Sequence, residues 1–212
     1  MHLPKYLATE FFVLFIALPL SLLLPYDFRI KGASVLVAFI YLLFVMFKRT
    51  DVRLKLHKEI DWQAFGKTTV IKFFGIAVVT TLYVYVMDAS ALFCVPLNKP
   101  DVWITILFVY TFLSVWPQEV IYRTFFFERY AFLFSNKKIF IFVNAIVFCL
   151  AHLFLRNTLV TVLTFIGGLL FAYTYTQTKS TTLVSIEHAV YGNWLFTVGM
   201  GEMLAFPGME AC

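Results

Sequence analysis

A glutamate, an arginine and two histidines stand inside otherwise apolar runs, where an isolated ionisable group is costly and marks a functional site by default. Glu119 and Arg123 lie in the stretch Trp116-Pro117-Gln118-Glu119-Val120-Ile121-Tyr122-Arg123. Four residues apart, they share one face of a helix and can pair. His152 ends the greasy segment Phe148-Cys149-Leu150-Ala151-His152, and His188 follows a second carboxylate, Glu187, in Ser185-Ile186-Glu187-His188-Ala189. Taken singly, each group has a structural reading: a clasp between helices, or a hydrogen-bond partner within the bundle. Taken together, on three successive hydrophobic helices, they fit a bundle built to hold a polar cavity. A buried carboxylate beside histidines can supply a base near neutrality and donors for a developing oxyanion. Hydrolysis, proton relay and metal binding are all open to such a set. One carboxylate with two histidines is a plausible zinc set, although the His-Glu-x-x-His spacing that places ligands on one helix face is absent. Asn144 and the threonines of the sixth span are read as packing polar groups without a role.

The elements that must position these groups are membrane helices. Of 212 residues, 61% are hydrophobic and only 14% charged, whereas a soluble domain carries roughly 25% charge. The mean hydropathy is +0.85. The net charge of +5 resides in basic residues just outside apolar runs, where topology accounts for them and no nucleic-acid partner is implied. Cys94, Cys149 and Cys212 show no CxxC or Cys/His metal spacing. The N-terminal run has no small-residue cleavage site after it and reads as a retained span.

The pattern predicts an all-α bundle of about seven transmembrane helices in a single transmembrane domain, 1–212. Spans are expected over 7–24, with a kink at Pro19, then 33–47, 68–87, and a fourth helix from 102 that Pro117 kinks and that runs on to 134. Three more follow over 139–155, 158–177 and 181–200. The second is shorter than the roughly 20 residues a straight span needs, so it must borrow flanking residues. The basic stretch 48–67 reads either as an amphipathic helix on the membrane surface or as a solvated loop. Gly167-Gly168 would let helix backbones approach closely. Counting Lys and Arg by loop places the N-terminus in the cytoplasm and the C-terminus outside.

The order Gln118-Glu119-x-x-x-Arg123, set against a Glu-Glu-x-x-x-Arg motif, then Phe148-x-x-x-His152, then His188 with Asn193 nearby, resembles the CAAX-protease and bacteriocin-processing family. This intramembrane group, also called the Abi family, includes the type II prenyl-protein endopeptidases. The resemblance covers 102–201, the expected catalytic core, while 1–101 carries no motif. It implies a metal-independent mechanism with no cofactor, in which a glutamate and a histidine activate water against a peptide carbonyl. By position, Glu119 is the candidate base, His152 the water-activating histidine, and His188 with Asn193 the oxyanion pair. Gln118, Arg123 and Glu187 support them.

Two positions depart from the family pattern. Its first glutamate is Gln118 here, and an amide cannot take a proton from water. Adjacent helix residues point about 100° apart, so assigning the base to Glu119, or alternatively to Glu187, shifts the geometry. The family also expects Asn or Asp four residues after the second histidine, which is Gly192. Asn193 comes one later and would face the site only through a π-bulge at Gly192.

The implied activity is an intramembrane endopeptidase acting near the C-terminus of a prenylated or hydrophobic-tailed, membrane-tethered peptide or protein. The implied location is a prokaryotic inner membrane, with the lipid bilayer as the other partner. The alternatives are a metal-binding protein of the same fold and a non-catalytic one, either a peptide-binding relative or a proton-coupled carrier.

Overall fold

A computed structural model of the chain describes residues 3–49, 61–204, 206 and 208. It is all-α, with no strand among the described residues. Among the described residues eight helices follow one another: α1 over 3–21, α2 Phe28–Arg49, α3 Trp62–Asp88, α4 Cys94–Asn98, α5 Pro100–Leu133, α6 Lys137–Leu150, α7 Thr158–Thr178 and α8 Thr181–Val198. Polar side chains start several of them. Asp61 accepts from the Ala64 amide, Asn136 from Lys138 and Ile139, and Asn157 from Val160, each satisfying donors that a first helical turn leaves unpaired.

Among the described residues five helices are long and apolar enough to cross a membrane: Phe28–Lys48, Trp62–Ala91, Pro100–Leu133, Lys137–Leu155 and Thr158–Thr178. The outermost expected spans form helices as well, α1 and α8. In α8 Glu187, His188 and Asn193 dilute the apolar run. The second span borrows flanking residues as its length demanded, lengthening to Phe28–Arg49. Its neighbour starts earlier than expected, since Asp61 caps α3 six residues ahead of Lys67. Of the basic stretch 48–67, residues 50–60 lie outside the described residues. Large apolar side chains such as Ile71, Phe74, Val78, Leu82 and Val86 on α3 are exposed. A row of this kind needs hydrocarbon around it, and with every helix bonded internally the chain is an integral membrane protein.

Prolines set the irregularities. Pro19 follows a π-helical turn at Val13–Ala17, and Pro117 follows another at Tyr110–Val115. In both, the amide one residue before the proline reaches back five residues: Leu18 to Val13, and Trp116 to Thr111. Proline lacks an N–H and its ring presses on the carbonyl four residues back, so a widened turn there relieves a conflict that a regular α-helix would keep. A third π turn, Val120–Phe125, follows Glu119. The motif Trp116–Glu119 is thus a single α turn between two widened ones, and the expected kink takes this form.

The chain divides into two compact units, one of Met1–Lys55 with Val120–Thr181, the other of Leu56–Glu119 with Thr182–Cys212. The first contains α1, α2, the C-terminal part of α5, α6 and α7. Its core is aromatic: Phe15, Phe125, Phe126 and Tyr130 are buried against Phe11, Phe134 and Phe140. Glu10 ties α1 to α5 and α2. It accepts two bonds from Arg129, both at 2.9 Å, and one each from Tyr130 at 2.9 Å and Tyr41 at 2.6 Å.

In the same unit Gly168 lets α7 meet α6. A Cβ there would stand 2.9 Å from the Ala145 Cα, whereas one on Gly167 would meet only the Phe171 ring of its own helix. Since lipid removes the hydrophobic drive between helices, such close contact is what holds them. Gly168→Leu is expected to lower stability in detergent by about 1–3 kcal/mol, the usual cost of overpacking. Gly167→Ala should cost less, because a ring edge can turn aside. Thermal unfolding of the two variants checks the order.

The second unit holds α3, α4, the N-terminal part of α5, and α8. Val95, Ile106, Tyr110, Val115, Ala189 and Phe196 form its buried core. Indole donors pin α8 on two sides: Trp194 Nε1 to Thr80 Oγ1 at 2.9 Å and Trp103 Nε1 to Thr197 Oγ1 at 3.1 Å.

Candidate active site

In the second unit, α5 and α8 bring a carboxylate, an imidazole and a phenol into one chain. Glu119 ends the short α turn after Pro117 and has no exposed surface. Its Oε1 lies 2.7 Å from His188 Nδ1, and His188 Nε2 lies 3.1 Å from the Tyr110 hydroxyl. An ionised carboxylate only accepts, so Nδ1 carries the proton towards Glu119. A neutral ring then accepts the Tyr110 O–H at Nε2. The pattern carboxylate–imidazole–hydroxyl orients the histidine and fixes its tautomer.

Gln118 points elsewhere. Its Nε2 donates to Ser114 Oγ at 2.8 Å, one turn back on α5, and its Oε1 is buried without a hydrogen-bond partner among the described residues. Glu187 is occupied by an ion pair with Lys72 Nζ at 2.8 Å and a bond from the Tyr191 hydroxyl at 2.9 Å. Lys72 thus reaches into the unit, and Glu187 serves as its counter-ion.

Asn193 stands on α8, which is regular α-helix from Thr181 to Val198. The π-bulge at Gly192 that would have turned Asn193 to the face of His188 is therefore not there, and the widened turn belongs to α5 instead. That turn, Tyr110–Val115, carries Thr111, whose Oγ1 accepts from Asn193 Nδ2 at 3.0 Å. The Asn193 side-chain oxygen is buried and has no hydrogen-bond partner among the described residues.

In the first unit, Arg123 is wholly buried in the π turn Val120–Phe125. Its Nη1 donates to Asn144 Oδ1 at 2.8 Å, while Asn144 Nδ2 donates to the Tyr122 carbonyl at 2.7 Å. The guanidinium also lies over the Phe148 ring, 4.7 Å from its centroid, a favourable place for a desolvated cation. Asn144, read from sequence as a packing group, is therefore the side chain that seats Arg123. The available signal was an amide in the middle of an apolar helix, one that needs two partners once buried. Tyr110 gave no such signal, because a tyrosine in an apolar run is common.

His152 also belongs to the first unit. The helix α6 stops at Leu150, and His152 occupies the turn that follows rather than the helix itself. Its Nδ1 lies 2.8 Å from the Phe148 carbonyl, one of the last carbonyls that a helix end leaves without an amide. A carbonyl cannot donate, so Nδ1 is the protonated nitrogen and Nε2 the basic one.

Compared with known families, residues 100–194 match the model described as type II CAAX prenyl endopeptidase Rce1-like. That stretch contains α5, α6, α7 and most of α8, and with them every residue discussed above except Lys72. No curated protein matches the chain, and no solved structure does.

Proposed function

The chain belongs, through residues 100–194, to the CAAX-protease and Abi family of intramembrane proteases, and from that premise we propose that it is an intramembrane endopeptidase. Its substrate in this reading is a prenylated or hydrophobic-tailed peptide or protein, cut near the C-terminus by an activated water. The observation that carries the reading is the 2.7 Å bond between Glu119 and His188. These two groups are buried in a bundle that lipid surrounds, where a carboxylate and an imidazole are expensive to keep without use.

Glu119 takes the proton of the attacking water. A carboxylate offers about four lone-pair positions, so a bond to His188 leaves it capable of this second task. The family resemblance gives the water-activating role to His152, whose Nδ1 is held by the Phe148 carbonyl. His188 and Asn193 are the oxyanion pair by family position: with both ring nitrogens already bonded, His188 contributes the positive charge of a protonated ring rather than a free N–H, and Asn193 Nδ2 has a second hydrogen to offer the oxyanion. Water adds to the carbonyl carbon, the C–N bond breaks, and the proton that Glu119 took passes to the leaving amine. Gln118, bonded to Ser114, takes no proton, and Arg123 secures the helix turn next to Glu119.

Purified protein in liposomes should cleave a prenylated or hydrophobic tail peptide, and Glu119→Ala, His152→Ala and His188→Ala should each abolish the cleavage. Full activity in Glu119→Ala would remove the base assignment. Gln118 favours a second reading, a relative that binds peptide without cutting it. Stable binding of the same peptide with no product would support that one.

A further inference from the structure

The hydroxyl of Tyr110 sits where a side chain on residue 192 would otherwise be. His188 and Gly192 are one helical turn apart on α8, so their side chains share a face. A Cβ on Gly192 would fall 2.1 Å from the Tyr110 hydroxyl oxygen, 2.3 Å from its Cε1 and 2.4 Å from its Cζ. No residue with a side chain fits there while Tyr110 keeps its place. The ring cannot swing away freely either, since Phe196 stands 4.9 Å from it, centroid to centroid, and Phe206 6.0 Å. Tyr110 opens the π turn of α5, the irregularity that also carries Thr111 to Asn193.

We propose that Tyr110 is a positioning residue for His188: admitted by the bare backbone of Gly192, its hydroxyl holds the ring at Nε2 as Glu119 holds it at Nδ1. A phenol has one O–H to donate and lone pairs to accept. It donates to Nε2 of a neutral ring and accepts from Nε2–H of an imidazolium, so His188 stays pinned through a gain or loss of a proton. A tyrosine present only to fill space would need its ring and not its oxygen. The two roles therefore separate in Tyr110→Phe, which keeps the ring and removes the bond.

The activity arm of the test rests on the endopeptidase reading, while the spectroscopic arm does not. In protein carrying ¹⁵N-histidine in detergent micelles, the His188 ring signals are those lost in His188→Gln. The Nε2 resonance is expected to move in Tyr110→Phe. It should move likewise in Gly192→Ala, where the added methyl displaces the hydroxyl while residue 110 remains tyrosine. With a cleavable tail peptide, Tyr110→Phe should lower kcat about 10- to 100-fold at unchanged KM, the effect of losing one buried hydrogen bond in the reacting state. An unmoved Nε2 resonance in Tyr110→Phe overturns the assignment, as does an unchanged kcat in a chain that cleaves. A parent chain that cleaves nothing counts against the endopeptidase reading, and the Nε2 resonance still decides for or against Tyr110.

Discussion

Glu119→Gln should lower kcat on a tail peptide by about 10²–10⁴-fold, the contribution usual for a general base. The substitution keeps the shape of the side chain and an oxygen that can still accept from His188 Nδ1. It removes the negative charge and the ability to take a proton from water. The protein should therefore fold and bind peptide as before while chemistry slows, so that kcat falls and KM does not. An equal loss in kcat/KM with KM raised would instead make Glu119 a binding residue. Gln118→Glu is the matching control. With the base at Glu119, a second carboxylate at position 118 brings no gain, and its proximity to a like charge is unfavourable. A large rise in cleavage by Gln118→Glu would identify the natural chain as a disabled protease.

The largest effect on stability is expected away from the candidate site, in Arg129→Met. Glu10 is buried, and Arg129 provides two of its four hydrogen bonds and the opposing charge. Removing one partner of a buried ion pair leaves an uncompensated charge, at a cost of about 3–5 kcal/mol. The bonds from Tyr41 and Tyr130 remain, which places the expected loss at the lower end. Replacing both partners, Glu10→Met with Arg129→Met, removes the orphaned charge and should recover most of the loss. Equilibrium unfolding in mixed detergent micelles measures both. A single variant within about 1 kcal/mol of the parent, the range of an exposed pair, would mean that the clasp is wet.

Much of this was legible in the chain. Uninterrupted apolar runs announced the helices, since in lipid only closed hydrogen-bonding patterns survive. The three ionisable positions Glu119, His152 and His188 stood out because nothing in an apolar run explains them. Gly168 was legible too, as a small residue at a helix crossing. The phenol on His188 was not, because the bond depends on what α5 presents to α8 and not on the order of residues along either helix. Nor was the end of α6 at Leu150: the segment stays apolar through Leu155, and hydropathy does not register where backbone bonding stops. Nor was the partner of Asn193: its own helix carries no bulge, and the irregular turn that bonds it is on α5.

A widened turn is, in effect, one extra letter inserted into a helix without changing where its ends lie. Closing over five residues instead of four, Tyr110–Val115 sets everything after it back in phase by about one position. One position is the interval between Gln118 and Glu119. Counted from Tyr110, a regular α-helix would bring residue 118 to the angle at which residue 119 now meets His188. The carboxylate that looks misplaced by a single step in the written motif is thus in frame with the histidine in space.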